Sequence, residues 1–288
     1  MTDGKQAANP PENGPETAAA AAGAPGESQR LARAIARSGL CSRRDAEDWI
    51  RAGRVCVNGA LVTGPALDVG PDDRVEVDGA PLAPPEPARL WRYHKPRGLV
   101  TTARDEKNRP TVFAALPREM PRVVSVGRLD VNSEGLLLLT NDGDLARRLE
   151  LPRNGWIRRY RVRVRGRVDS ARLESLQQGV TVEGVHYGPV EAVLERQQGS
   201  NAWIQMTLRE GRNREIRRIM GHIGYTVNRL IRVAYGPFRL DSLPAGMVME
   251  APQSEIRKLL GLHRKSAWAK PAARRKPLRR PRPAGGGR

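Results

Sequence analysis

The sequence predicts an α+β fold with a mostly antiparallel sheet. Two observations predict it: strand-like segments outnumber helical ones, and they fall largely in hairpin order. The chain has 288 residues, 50 Lys+Arg and 31 Asp+Glu, a formal charge of +19. The longest strongly apolar run, Leu136-Leu137-Leu138-Leu139, is far short of the ~20 residues a membrane span needs. Two cysteines, Cys41 and Cys56, make no disulfide framework. The four histidines, His94, His186, His222 and His263, have no zinc spacing. No membrane, no metal and no secretory signal is expected; a cytoplasmic protein with a polyanionic partner remains.

The first 28 residues carry four acids against Lys5 and contain no Val, Leu, Ile or aromatic residue, so a disordered leader is expected. Residues 29–84 read as a small basic module. Leu31, Ala34, Ile35 and Ser38 have helical spacing and Gly39 supplies a stop. Ser42 reads as an N-cap with Asp45 as its capping-box partner, and Ala46, Trp49 and Ile50 form the buried stripe of a second helix. Val55 and Val57 run into an Asn58-Gly59 turn, and Val75 and Val77 into Asp78-Gly79. Arg43, Arg44 and Arg54 lie on the polar side. Two arginines in the first turn of a helix oppose its dipole, but suit a phosphate docked on the free amides. Residues 85–89 lie in a proline-rich linker.

Residues 90–262 hold the larger module. Leu90–Tyr93 begins a strand and turns through His94-Lys95-Pro96-Arg97-Gly98 into Leu99-Val100-Thr101-Thr102. Val123–Val126 and Leu136–Thr140 read as buried strands flanking Gly127-Arg128-Leu129-Asp130-Val131-Asn132-Ser133-Glu134-Gly135. Asp144 is expected to cap a helix bearing Leu145 and Leu149. Tyr160, Val162 and Val164 alternate with Arg161, Arg163 and Arg165, a half-buried strand. Trp203–Leu208 is another, and Ile216, Ile219, Met220 and Ile223 have the spacing of an amphipathic helix. From residue 263 to 288 there are ten Lys/Arg and no acid, a disordered basic tail suited to RNA.

Asp130 sits in a Gly- and Asn-containing loop between two apolar strands. An acid there is usually a turn-former; residue type alone leaves turn and catalysis both open. Arg212, Arg214, Arg217 and Arg218 cluster at a helix start, and Arg217, at the margin of the apolar stripe, needs a carboxylate partner if buried. Tyr160 shares a face with Val162 and Val164 and on residue type reads as a core aromatic.

Residues 31–78, with Ser38-Gly39-Leu40-Cys41-Ser42-Arg43-Arg44-Asp45-Ala46 and Gly53-Arg54-Val55-Cys56-Val57-Asn58-Gly59, resemble an S4 RNA-binding domain. Gly127-Arg128-Leu129-Asp130, Arg158-Arg159-Tyr160 and Glu210-Gly211-Arg212-Asn213-Arg214-Glu215-Ile216-Arg217-Arg218 resemble the three motifs of RNA pseudouridine synthases, and with the S4 pairing, the RsuA/RluB group among them. Gly199–Trp203 and Arg229–Gly236 look closer to the large-subunit type. The resemblance implies an S4-like domain followed by a pseudouridine synthase domain with a long mixed sheet and a cleft across its middle. It implies no cofactor, a monomer, and isomerisation of uridine in ribosomal RNA or a subunit precursor, 23S RNA above all. It also implies roles: Asp130 catalytic, Tyr160 stacking on the base, Arg217 pairing with Asp130, Ile216 packing beside the reaction site, and Arg128 filling the gap left by the flipped nucleotide. Arg212, Arg214, Arg43, Arg44 and Arg54 are the expected RNA contacts. Ser133-Glu134 departs from the pattern and is expected to place an extra negative charge near the cleft. The alternative is a noncatalytic RNA-binding or ribosome-assembly factor.

Overall fold

The computed structural model describes residues 28–259; the tail, and the leader up to residue 27, lie outside the described residues. The chain divides into two compact units between Glu86 and Pro87.

In the first unit, Leu31–Arg37 and Arg43–Arg51 are helices. Ser42 caps the second: its Oγ accepts from the Asp45 amide, and the Asp45 carboxylate accepts from the Ser42 amide. A four-stranded antiparallel sheet is built from two tight hairpins, Val55–Val57 with Ala60–Val62 and Val75–Val77 with Ala80–Pro81. Asn58 and Asp78 have φ of 53° and 51°, the left-handed values that such two-residue turns demand. Leu31, Ile35, Ala46, Ile50, Val55 and Val77 fill the core. Cys41 is buried, whereas Cys56, between the inward Val55 and Val57, is half-exposed.

The second unit is organised on a nine-stranded mixed sheet. In spatial order the main path runs Glu191–Gln198, Asn201–Leu208, Arg158–Arg165, Val227–Tyr235, Glu134–Thr140, Leu90–Lys95, Val248–Glu250. Every pairing is antiparallel except one. Val227–Tyr235 meets Glu134–Thr140 in parallel over only Ile231↔Glu134 and Arg232↔Gly135. The same edge of Glu134–Thr140 pairs, at its far end, with Val124–Val126. Two half-sheets therefore join at a short seam, and the loop 127–133 leaves from where they diverge.

The two halves are covered differently. Glu134–Thr140 is buried at every position, because Leu136 and Leu138 enter one core and Leu137 and Leu139 another on the opposite face. The other half has a core on one face, formed by Tyr160, Val162, Val164, Ile204, Met206 and Ile219.

Two sequence expectations need correction. Leu99–Thr102 is not a strand: it makes one isolated bridge, Val100↔Thr111, and the Thr101 hydroxyl is taken up by Leu129. The helix Gly143–Glu150 is capped by Asp142, not Asp144, since Asp142 Oδ1 accepts from the amides of Asp144 and Leu145, the reach an N-cap carboxylate has.

Candidate active site

The loop that carries Asp130 is fixed carbonyl by carbonyl. Leu129 O accepts from Thr101 Oγ1 (2.9 Å) and Asn132 O from Arg217 Nη2 (3.1 Å). Ser133 O accepts from Lys95 Nζ (2.9 Å). Val131 O accepts from the Gly98 amide (2.8 Å) and Asp130 O from the Ser133 amide (2.9 Å). Five consecutive carbonyls thus have donors from three parts of the chain: the 95–101 stretch, Ser133 of the loop itself, and Arg217. Buried carbonyls require partners, and here the partners determine where the carboxylate stands.

Asp130 is half-buried and borders two cavities, of about 640 and 370 Å³. The larger is within the range of small-molecule sites. Tyr160, Ile216, Arg128, Arg212 and Arg214 line it with Asp130. Tyr160 and Ile216 are buried; Arg128, Arg212 and Arg214 are exposed. Arg214 sits at φ 52° immediately before the helix Glu215–His222, which carries Ile216 and Arg217. Arg212 is held: its Nε meets Glu210 at 2.8 Å, Nη1 donates to His186 O, and its amide donates to Glu215.

Arg217 makes no ion pair with Asp130 within 4 Å. Its Nη1 and Nη2 donate instead to Val227 O (3.0 Å) and Asn132 O (3.1 Å), so it grips the backbone two residues after the acid. Burial pulls its pKa below the ordinary guanidinium value, with Arg214 adding to the fall and Asp130 opposing it. The charge of Asp130 is felt, but the direct contact is replaced by a backbone clamp. Glu134 likewise does not leave a free charge near the cleft. Arg229 binds it through two bonds of 2.7 and 2.9 Å and, by those bonds, holds its pKa below the usual carboxylate range.

Arg43 and Arg44 are exposed in the first unit. Arg54 is tied to Asp78 through Nε at 2.9 Å and lies 4.6 Å over the Trp49 ring.

Sequence reasoning missed three buried polar side chains. Lys95 is wholly buried, donates to Ser133 O and Pro96 O, and has its pKa lowered to about 8 by desolvation against the opposing pull of Asp130 and Glu134. Ser133 and Arg232 are also buried and border the larger cavity, and Ser133 Oγ and Arg232 Nη2 have no hydrogen-bond partner among the described residues. Arg232 Nε donates to Leu136 O at 2.7 Å. The available signal was strand alternation: Lys95 shares a face with Trp91 and Tyr93, and Arg232 with Leu230 and Ala234.

No group of three or more His, Cys, Asp or Glu among the described residues could hold a metal ion, and no helix there is long and apolar enough to cross a membrane.

Both units resemble known proteins. The family model for RNA pseudouridylate synthase matches residues 89–222, and that for the S4 domain residues 29–75. An uncharacterised RNA pseudouridine synthase of Rickettsia felis is 46% identical over 230 residues, 80% of this chain and 100% of that one. Ribosomal large subunit pseudouridine synthase B of Salmonella typhimurium is 42% identical over 242 residues, 82% and 83% of the two chains. A crystal structure of a pseudouridylate synthase superposes with a TM-score of 0.56 at 28% identity, covering 80% of this chain and 99% of that one.

Proposed function

The chain belongs to the RNA pseudouridine synthases, isomerases here joined to an S4 domain, and from that premise we propose that it converts uridine to pseudouridine in ribosomal RNA, the 23S RNA of the large subunit, with Asp130 as the acting carboxylate. The observation that carries this reading is the placement of Asp130 on a fully bonded loop, bordering the cavity that Tyr160 also lines. The name of the Salmonella relative supports the choice of ribosomal RNA.

The reaction breaks the N1–C1′ bond of uridine, turns the base, joins C5 to C1′ and releases the C5 proton. It needs neither redox change nor energy input. One carboxylate suffices, whether it adds to C1′ or takes a proton from the sugar. The uridine must first leave its stack, at a cost of a few kcal/mol. Stacking on Tyr160 returns about 1–3 kcal/mol, with Ile216 against the other side of the base, Arg128 in the emptied position, and Arg212 and Arg214 on phosphates. Arg43, Arg44 and Arg54 of the S4 domain add contacts elsewhere on the RNA.

Arg232 Nη2 and Ser133 Oγ give the base a polar edge. Turning uracil about its N3–C6 axis exchanges N1 with C5 and also O2 with O4. A donor facing one carbonyl before the turn therefore faces the other afterwards, so one guanidinium can hold the base on both sides of the reaction. Arg217 acts as a positioning residue through Asn132, presenting the acid in reactive geometry.

The test is tritium release from RNA labelled at uridine C5. Wild-type protein should release label from unmodified 23S RNA, and Asp130→Asn should release none while binding the RNA normally. Tight binding without release by the wild type would mark a noncatalytic RNA-binding or assembly factor instead. Mapping pseudouridine in 16S and 23S RNA from cells lacking the protein decides the subunit.

A further inference from the structure

The half-sheet that carries Tyr160 has a face turned away from the cleft, and along the Arg158–Arg165 strand no core cluster covers that face among the described residues. The strand places Arg159, Arg161, Arg163 and Arg165 on it, while Tyr160, Val162 and Val164 point into the core. Same-face residues on a strand are about 6.6 Å apart, so the four guanidinia form a row of about 20 Å.

The neighbouring strands extend the row sideways. Arg163 stands opposite Trp203, and Trp203 opposite Arg196 on the strand beyond. Arg161 ion-pairs with Glu195 at 2.8 Å and lies 4.8 Å over the half-exposed Trp203 ring. Arg159, Arg163 and Arg165 form no ion pair among the described residues. Like charges in adjacent same-face positions repel one another. Three uncompensated arginines beside an accessible indole are therefore a surface awaiting a polyanion with aromatic groups.

We propose that this face is a second RNA-binding surface, separate from the cleft, that takes a single-stranded segment of RNA. Its phosphates follow Arg159, Arg163 and Arg165, and a base stacks on Trp203. A basic track joined to an aromatic platform is how proteins hold single strands without reading sequence, and an open sheet face is suited to splayed bases. A duplex keeps its bases stacked inside and offers none to the indole. The surface does not depend on Asp130 or on which uridine is modified.

The test uses the full chain carrying Arg159→Gln, Arg163→Gln and Arg165→Gln together, with Trp203→Leu as a separate variant. Affinity is measured across a salt series for a single-stranded oligouridine and for a blunt RNA duplex of equal length. Three lost phosphate contacts at about 0.7 each should make the salt slope for oligouridine shallower by about 2, with the duplex slope unchanged. Trp203→Leu should weaken oligouridine binding about tenfold at unchanged slope. Tritium release from a short stem-loop should persist in both variants, which separates this surface from the cleft. An unchanged oligouridine slope in the folded triple variant overturns the proposal, and an equal loss on the duplex overturns its single-strand assignment. Should the triple variant melt early, Arg163→Gln alone must still lower the slope by about 0.7 or the proposal fails.

Discussion

Replacing Gly135 by alanine strikes the seam between the half-sheets. Gly135 has φ +102°, and a Cβ there would stand 2.4 Å from Arg232 O and 2.7 Å from Arg232 N. Both are backbone atoms of the one parallel pairing, so no flexible side chain can yield. Backbone strain at such a φ costs roughly 1–3 kcal/mol and an added methyl in a filled space a further 1–3, a total of about 4 kcal/mol. For a unit of this size each kcal/mol shifts the melting temperature by about 2–4 °C, which places the Gly135→Ala loss at about 8–16 °C. Gly127→Ala is the control: φ is +66° and nothing among the described residues lies within 4 Å of the added carbon. It carries strain without collision and should lose about 1–2 kcal/mol. Thermal unfolding gives the two shifts, and hydrogen exchange of the 134–140 and 227–235 amides shows whether the seam opens first. Gly135→Ala melting no lower than Gly127→Ala would refute the argument that the strands approach this closely.

Two further perturbations address the loop. Arg217→Lys keeps a cation near Asp130 but cannot grip Val227 and Asn132 together; kcat should fall about 100-fold with KM little changed, whereas full kcat would show that charge alone suffices. Lys95 gives up its proton near pH 8 when folded but only near 10.4 when unfolded. Between those values the unfolded chain holds more protons, so stability rises with pH, by about 3 kcal/mol in all. Urea midpoints from pH 7 to 10 should show that rise in the wild type and its absence in Lys95→Met, and a rise that survives the substitution would contradict the assignment.

Much of the fold was legible because local patterns and tertiary needs coincide. Arginine at alternate positions from Arg159 to Arg165 leaves only one way to bury Tyr160, Val162 and Val164. Four consecutive leucines in a strand require cover on both faces, and they have it. The capping box at Ser42 was equally local. The misses are long-range. That Arg217 would hold Asn132 rather than Asp130, 85 residues apart from its target, depends on how loop and helix meet. That Glu134 would be neutralised by Arg229 follows from the parallel seam, which no local pattern announces. Lys95 and Arg232 went unread because cations are usually solvated; only their places in the alternation marked them as inward.

A loop whose five carbonyls are already engaged has no slack to lend an incoming ligand. Under the proposed reaction, the rearrangement needed for recognition falls on the nucleic acid, whose resistance to losing a nucleotide from its stack varies with pairing and damage. On that reading a rigid mould sorts candidates by their compliance before it touches a single base edge, and weakly held nucleotides in irregular regions of a large folded RNA are expected to yield to it first.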